Sequence, residues 1–292
     1  MNIDIGLCTY RRVHVAETLR SLARLALPPD WKIRVIVADN DDTQAARELI
    51  EKTARENALD LTYIHAPAHN ISVARNACLD AATAPLLAFI DDDEIADPAW
   101  LKALAAALDI EQADAVLGPV RAIYGPDCPD WIIDGDYFST NPVWSADKIK
   151  TGYCGNVLLR RTSPALQNLR FREELGRTGG EDSVFFAALY CAGGKIAYAP
   201  EAVVTEIVPA ARANFAWLLR RRFRTGRTHG LMLLQETGNC PFARVKNILL
   251  ASGKFLFCLL LAAPNLIRPA RLRFWLLRGA LHAGVVVRLM EI

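Results

Sequence analysis

Asp91, Asp92, Asp93 and Glu94 set four carboxylates in consecutive positions, directly after the apolar run Leu86-Leu87-Ala88-Phe89-Ile90. Adjacent acids repel one another unless a cation or a solvated edge relieves them. Carboxylate oxygens are also the ligands that hard divalent ions take, often shared with substrate phosphates. Two readings follow, a metal-assisted site for a phosphate-bearing substrate or a solvated acidic turn. A second group, Asp39-Asn40-Asp41-Asp42, follows the apolar residues 33–38, where Asp and Asn also serve as plain turn formers. A third, Gly179-Gly180-Glu181-Asp182, opens the helical pattern Val184, Ala187, Ala188, Cys191. Acids there can simply cap a helix, but paired glycines let a backbone approach a ligand closely.

The elements around these groups follow from periodicity. The apolar run before Asp91 reads as a strand buried on both faces, as in the middle of a parallel sheet. Asp97-Pro98 after it offers a helix cap and a first-turn proline. Residues 3–8 read as a first strand, ending at Thr9-Tyr10-Arg11-Arg12. A helix with Val15, Leu19, Leu22 and Ala26 on one face follows, stopped by Pro28-Pro29. Residues 33–38 form a second strand, Thr43 caps a helix to about Asn57, and residues 61–64 form a third strand. A helix runs through residues 72–77, and a further strand spans 154–160. The alternation implies an α/β fold with a mainly parallel sheet and helices on both faces. The acids then fall in the crevice at the carboxyl ends of the strands, where such sheets bind ligands. Between Gly118 and Gly155 the pattern lapses into an irregular stretch with Pro126, Pro129, Trp131, Tyr137, Pro142 and Trp144. Loops of that kind carry substrate specificity or simply pack on the surface.

Composition excludes several classes. No GxGxxG follows Gly6, which argues against a dinucleotide site, and Thr9-Tyr10-Arg11 stands where an aspartyl phosphatase would hold its acid pair. Seven cysteines without a CxxC pair speak against a zinc site or a disulfide framework and for a reducing compartment. Met1-Asn2-Ile3-Asp4 has no basic segment before an apolar one, so no secretion signal is expected. The formal net charge of +2 conceals an asymmetry, because arginine dominates and carboxylates are scarce after Val208. With 52% hydrophobic residues and a mean hydropathy of +0.14, the chain is apolar for a freely soluble enzyme. The run from Ile248 to Ala263 approaches the roughly 20 residues a bilayer span takes, but it contains Lys254. Arg271-Leu272-Arg273-Phe274-Trp275-Leu276-Leu277-Arg278 suits a helix in the headgroup layer. The expected organisation is a catalytic domain over 1–210 and a basic, apolar helical region over 211–292. That region is read as two interfacial or re-entrant helices, with helices packed on the domain as the alternative.

Taken together the motifs resemble inverting glycosyltransferases of the large family two, which have a GT-A fold. The match runs from about Ile3 to Thr228 and is most similar to bacterial exopolysaccharide (succinoglycan-type) sugar transferases. Thr9-Tyr10-Arg11 takes the place of the first-strand donor loop and Asp39 that of the second-strand acid. Ala74-Arg75-Asn76 matches the helix motif, and Phe89-Ile90-Asp91-Asp92-Asp93 the metal-binding DxD. The segment from Phe171-Arg172-Glu173-Glu174-Leu175 to Glu181-Asp182 matches the acceptor side. The resemblance implies that Asp39 and Arg75 hold the nucleoside, with Thr9 and Arg11 beside it. Asp91 reaches the ribose or the metal, Asp92 lies at the donor, and Asp93 ligates Mg2+ or Mn2+ on the diphosphate. Asp182 acts as general base with Glu181 as a supporting acid. Implied partners are a nucleotide-sugar donor, expected to be a UDP-sugar, and a glycan or polyprenyl-linked oligosaccharide acceptor. The inner leaflet of the cytoplasmic membrane is the implied location, and no nucleic acid is expected. Two departures stand out. Thr205-Glu206 replaces a histidine common in relatives, and Leu219-Arg220-Arg221-Arg222-Phe223 keeps only fragments of the processive QxxRW motif. Processive polymerisation is therefore not expected, and Arg222 is a diphosphate contact by analogy alone. A metal-dependent nucleotidyltransferase and an inactive membrane-tethered nucleotide-sugar-binding protein are the alternatives; the first usually needs a glycine-rich opening loop that this chain lacks.

Overall fold

The computed structural model describes residues 1–238 and 240–291. In chain order they form β1 (Asn2–Thr9), α1 (Val15–Leu22), β2 (Lys32–Asp39), α2 (Arg47–Glu56), β3 (Leu61–His65), α3 (Ile71–Ala81) and β4 (Leu86–Asp91). Next come β5 (Glu94–Ala96), α4 (Trp100–Ile110), β6 (Ala115–Leu117), β7 (Val120–Ile123), α5 (Asp130–Asp134), β8 (Trp144–Ser145) and β9 (Lys148–Ile149). β10 (Asn156–Arg160), α6 (Glu181–Cys191), β11 (Ile196–Tyr198) and β12 (Val204–Ile207) complete the sheets. Three long helices, α7 (Phe215–Thr237), α8 (Pro241–Ala262) and α9 (Pro269–Met290), end the chain. Two compact units result: Met1–Ile123 with Ser139–Ile207, and Tyr124–Phe138 with Val208–Ile292.

The first unit is built on a seven-stranded sheet in the order β11-β6-β10-β4-β1-β2-β3. β10 runs antiparallel to both its neighbours, and the other pairings are parallel. That reversal is a feature the strand pattern alone did not reveal. Alternation decides which side chains go where. Ile3, Ile5, Leu7, Ala88 and Ile90 enter one buried layer with Leu19, Leu104 and Trp100. Ile36, Leu87 and Phe89 enter the other with Cys78, Phe185 and Phe186. β4 is thus covered on both sides, which is why its sequence is continuously apolar. Each fully buried Leu, Ile or Phe contributes about 1.5–3 kcal/mol of transfer free energy. A small sheet, β5-β12-β7, lies beside this frame.

Some local expectations shift by a turn. α2 starts at Arg47 rather than at Thr43, because the Thr43 hydroxyl donates to Asp41 Oδ2 at 3.1 Å instead of capping a helix. Asp97 does accept the Ala99 amide at 2.8 Å, but the helix begins only at Trp100, after a turn. α1 ends at Leu22 and leaves Ala26 outside it.

In the second unit α7 and α9 touch backbone to backbone. A Cβ on Gly226 would stand 1.9 Å from the Leu281 carbonyl oxygen, and one on Gly284 would stand 2.1 Å from that of Phe223. Small residues at four-residue spacing, such as Gly226 and Gly230, permit such contact. Arg227 closes the end of the pair with two bonds to Glu291, at 2.6 and 3.0 Å. The segment around α5 joins the same unit. Trp131 meets Phe215 edge-on, Phe138 stacks on Trp217 at 5.3 Å, and Arg273 lies 4.8 Å over the Trp131 ring. The irregular aromatic stretch read from the sequence is therefore divided, with Trp131 and Tyr137 in the helical unit and Trp144 in the first. Among the described residues one helix, Pro241–Asn265, is long and apolar enough to cross a bilayer, with a mean hydropathy of 1.7.

Candidate active site

Register brings the first two acid groups to one edge. Thr9 pairs with Asp39 across β1 and β2, and Cys8 pairs with Asp91 across β1 and β4. β1 lies between the two acidic strands, so Thr9 stands between their carboxylates. Its hydroxyl donates to Asp92 Oδ2 at 2.7 Å. Arg12 Nη1 donates to Asp92 Oδ1 at 2.9 Å and also pairs with Asp93. Asp92 is buried, and burial pushes its carboxyl up to about 6, with Arg12 and Thr9 pulling the other way. Glu94, the last acid of the tetrad, turns inward and accepts the Asp91 amide at 2.9 Å. Burial, then the Asp91 charge, push its carboxyl well above the ordinary value, which eases repulsion in the tetrad. Gly155 makes room for it, since a Cβ there would stand 2.4 Å from Glu94 Oε1.

Asp39 is fully buried and accepts the Tyr63 hydroxyl at 2.8 Å and the Asp41 amide at 3.1 Å. Arg11, in a left-handed conformation at φ 55°, donates from Nε to Asp41 Oδ1 at 2.8 Å and holds that carboxyl below its usual range. Arg11 therefore meets the acid two residues beyond Asp39. Asp42 Oδ2 lies 2.6 Å from His69 Nε2, and the other ring nitrogen of His69 meets the Tyr10 hydroxyl at 3.0 Å. Asp41, Asp42 and His69 offer three ligand atoms within 4.8 Å of one another.

The third acid group reaches the edge through α3. Asn70 caps that helix by accepting the Ser72 amide at 3.0 Å, and its amide nitrogen donates to the Glu173 carbonyl at 2.8 Å. Ser72 donates to the Arg172 carbonyl at 2.9 Å, and Asn76 exchanges two bonds with the Phe171 backbone, both at 2.9 Å. Gly176 fits against Asn70 where a Cβ would lie 1.8 Å from its Oδ1. Left-handed Gly179 and Gly180, at φ 87° and 95°, then turn the chain into α6. Only glycine adopts two such residues in succession without strain.

Arg75 joins the two sides. It is buried, lies 5.7 Å over the Phe171 ring, and donates to Glu181 Oε1 at 2.5 Å and to Asp91 Oδ1 at 3.4 Å. Its guanidinium is engaged by these two carboxylates, which places it between the tetrad and α6. Glu181 is buried, and its Oε2 has no hydrogen-bond partner among the described residues. Asp182 accepts its neighbour's amide on Oδ1 at 2.6 Å, while Oδ2 takes no hydrogen bond from the described residues. Burial, then the Glu181 charge, push the Asp182 carboxyl up to about 6, against the pull of Arg75. A carboxylate with that affinity accepts a proton readily near neutral pH.

The side chain of Asp91 is 41% exposed and that of Asp93 is 21% exposed. Hard oxygen donors with solvent access at a strand end are what Mg2+ and Mn2+ take, so these residues fit such an ion. Arg12, Glu94, Asn70 and Asn76 escaped the sequence reading as site residues. Arg12 and Glu94 adjoin assigned motifs, and an Asn in front of a helical run is a cap signal. Nothing in the sequence near His69 tied it to Asp42.

The family model of glycosyl transferase family 2 matches residues 4–164. The chain is 49% identical over 290 residues to the succinoglycan biosynthesis protein ExoM of Rhizobium meliloti, covering 99% of this chain and 93% of the relative. It is 24% identical over 276 residues to the glucosyl-dolichyl phosphate glucuronosyltransferase of Haloferax volcanii, covering 86% and 84% of the two. Among solved structures, a mannosyltransferase from Pyrobaculum calidifontis in complex with GDP-Man and Mn2+ superposes with a TM-score of 0.63 at 20% identity, covering 99% of this chain and 87% of its own. Staphylococcus aureus TarS in complex with UDP-GlcNAc gives a TM-score of 0.56 at 19% identity, covering 80% of this chain and 67% of that one. These two support the GT-A fold. With its mainly parallel sheet, its three acid groups on one edge and the family model matched over more than half its length, the chain belongs to glycosyl transferase family 2.

Proposed function

We propose that this chain is an inverting, metal-dependent hexosyltransferase of bacterial exopolysaccharide synthesis, moving a sugar from a UDP-sugar to a lipid-linked glycan. One observation carries the reading: Arg75 bonds both Asp91 and Glu181, which brings the donor-side acids beside Asp182. Asp39 and Thr9 would receive the nucleoside, with Arg11 ordering the loop after β2 through Asp41. Asp91 and Asp93 would hold the Mg2+ or Mn2+ ion, in competition with the Arg12 pair, and Asp92 would keep that turn rigid. The ion, when bound, supplies positive charge to the leaving diphosphate. Asp182 would accept the proton of the acceptor hydroxyl on Oδ2 as the hydroxyl oxygen attacks the anomeric carbon from the face opposite the diphosphate.

The succinoglycan relative supports a polysaccharide pathway, and the dolichyl phosphate in the name of the Haloferax relative supports a lipid-linked acceptor. The domain boundary belongs to the same reading, with catalysis in 1–210 and membrane attachment in 211–292. Twelve arginines and two lysines stand against two glutamates between 208 and 292. Each basic residue near an anionic leaflet contributes about 1 kcal/mol of attraction. Exposed Phe242, Leu249, Leu256, Leu260 and Ile267 add apolar surface. We place the chain on the cytoplasmic face of the inner membrane, where nucleotide sugars are made. The test is a donor screen with UDP-, GDP- and dTDP-sugars and Mn2+, following nucleoside diphosphate release with and without lipid-linked acceptor. Acceptor-dependent release from a UDP-sugar is expected. Acceptor-independent formation of UTP and sugar-1-phosphate from a UDP-sugar and added pyrophosphate would instead favour a nucleotidyltransferase and overturn the proposal.

A further inference from the structure

The helical unit contains an apolar groove of about 470 Å3, within the range of small-ligand sites. Phe215, Leu219 and Phe223 of α7, Phe255 and Leu259 of α8 and Leu276 of α9 form its walls, with Gly279, Ala280 and Ala283 on α9 and Arg220 on α7. The concavity has a local cause. Gly226 and Gly284 are glycines because a Cβ would run into the facing backbone, but Gly279 is under no such constraint. A Cβ there meets Cys258 Cβ at 3.5 Å and Phe255 at 3.7 Å, which is ordinary contact. Helix packing would accept an alanine at Gly279, so the glycine there is not demanded by close backbone contact, and with Ala280 and Ala283 it keeps the α9 side of the groove low.

The lining identifies the chemistry of an occupant. Nearly all of it is aliphatic or aromatic carbon, and the one charged side chain is Arg220. Arg220 is exposed and forms no ion pair among the described residues. An unpaired guanidinium beside an apolar channel complements a single anionic head on a long apolar tail. The excess of cations between 208 and 292 makes a cationic head a poor match. A second protein chain would normally need several polar partners at such a patch, and the lining carries one polar side chain, Arg220.

We propose that the groove binds the phosphate-proximal part of an isoprenoid phosphate, with Arg220 on the phosphate and the α7–α9 walls around the first isoprene units. The assignment rests on the lipid-linked acceptor reading and adds where the lipid is held. It makes Arg220 a recognition residue of the acceptor, distinct from the donor residues on the sheet edge.

The test uses the full chain in amphipol, with farnesyl monophosphate below its micelle concentration as probe. Farnesol and inorganic phosphate serve as the separated halves, and binding is read by calorimetry. Farnesyl phosphate is expected to bind with one-to-one stoichiometry, at least tenfold more tightly than either half. Ala283→Leu fills the groove and should weaken the probe tenfold or more. Gly279→Leu is an independent filler should the first variant fold poorly. Arg220→Gln should bring farnesyl phosphate down to the affinity of farnesol. Unchanged binding in both fillers, or inorganic phosphate binding as tightly as the probe, overturns the proposal. So does a wild-type dimer that Ala283→Leu splits, because a second copy would then occupy the groove. Transfer to a lipid-linked acceptor is measured in parallel. If the wild type transfers but the fillers bind the probe normally, the groove assignment alone falls. If probe binding follows the groove but no lipid-linked acceptor is used, the acceptor reading alone falls.

Discussion

The two units differ in how several of their glycines and arginines are used. In the first, Gly155 and Gly176 yield space to polar side chains, Glu94 and Asn70, that set the acids at the sheet edge. In the second, Gly226 and Gly284 yield space to backbone, so that two helices can touch. Arg12 and Arg75 are tied to carboxylates in the first unit. In the second, Arg221 and Arg273 lie over aromatic rings. Arginine among buried acids fixes geometry for chemistry, whereas arginine on Trp and Phe with few acids nearby suits the membrane attachment proposed above. The division implies that changes in one unit should disturb chemistry and changes in the other location.

The largest effect should come from Arg75. Removing one partner of a buried charge pair costs about 3–5 kcal/mol, because the other charge stays buried and uncompensated. Arg75→Met should therefore lower the stability of the first unit by that amount in urea unfolding and abolish transfer. A stable, active variant would deny the link between the two acid groups. Asp93→Asn should reduce Mn2+-dependent nucleotide binding by about a hundredfold, which is about 2.7 kcal/mol at 1.36 kcal/mol per decade, while vesicle flotation is unaffected. Full turnover in excess chelator would remove the metal from the account. Gly226→Val should do the reverse. Overpacking costs about 1–3 kcal/mol, so flotation on anionic vesicles should weaken while nucleotide affinity is retained. The smallest effect is expected at Asn70, where Asn70→Ala should cost about 1 kcal/mol through the lost cap. Because the same side chain holds the Glu173 carbonyl, turnover should fall more than donor affinity.

Much of this was legible in the sequence because the sheet obeys simple periodicities. The apolar run 86–90 announced a strand covered on both faces, and each acid group fell at a strand or helix end. The carboxylates at Asp39, Asp91 and Asp182 were visible for that reason. Pairing was not legible, since it depends on register and on side chains far apart in sequence. The bond from Arg75 to Glu181 could not be read from spacing, because Glu181 lies more than a hundred residues away. The reversal of β10 and the departure of Tyr124–Phe138 into the helical unit are tertiary choices that leave no mark on local pattern.

The most direct test of the central claim is Asp182→Asn, examined for donor affinity and for transfer across pH. Burial and Glu181 raise the Asp182 carboxyl to about 6, and a base works only when deprotonated. Wild-type transfer should therefore hold above pH 6 and fall as the pH drops through it. In Asp182→Asn, UDP-sugar affinity measured by calorimetry with Mn2+ should stay near the wild-type value. Transfer should fall by about a hundredfold or more, the range for loss of a general base, and the acid limb near pH 6 should vanish from what remains. Near-normal turnover with the same acid limb would show that another group takes the proton and would contradict the account.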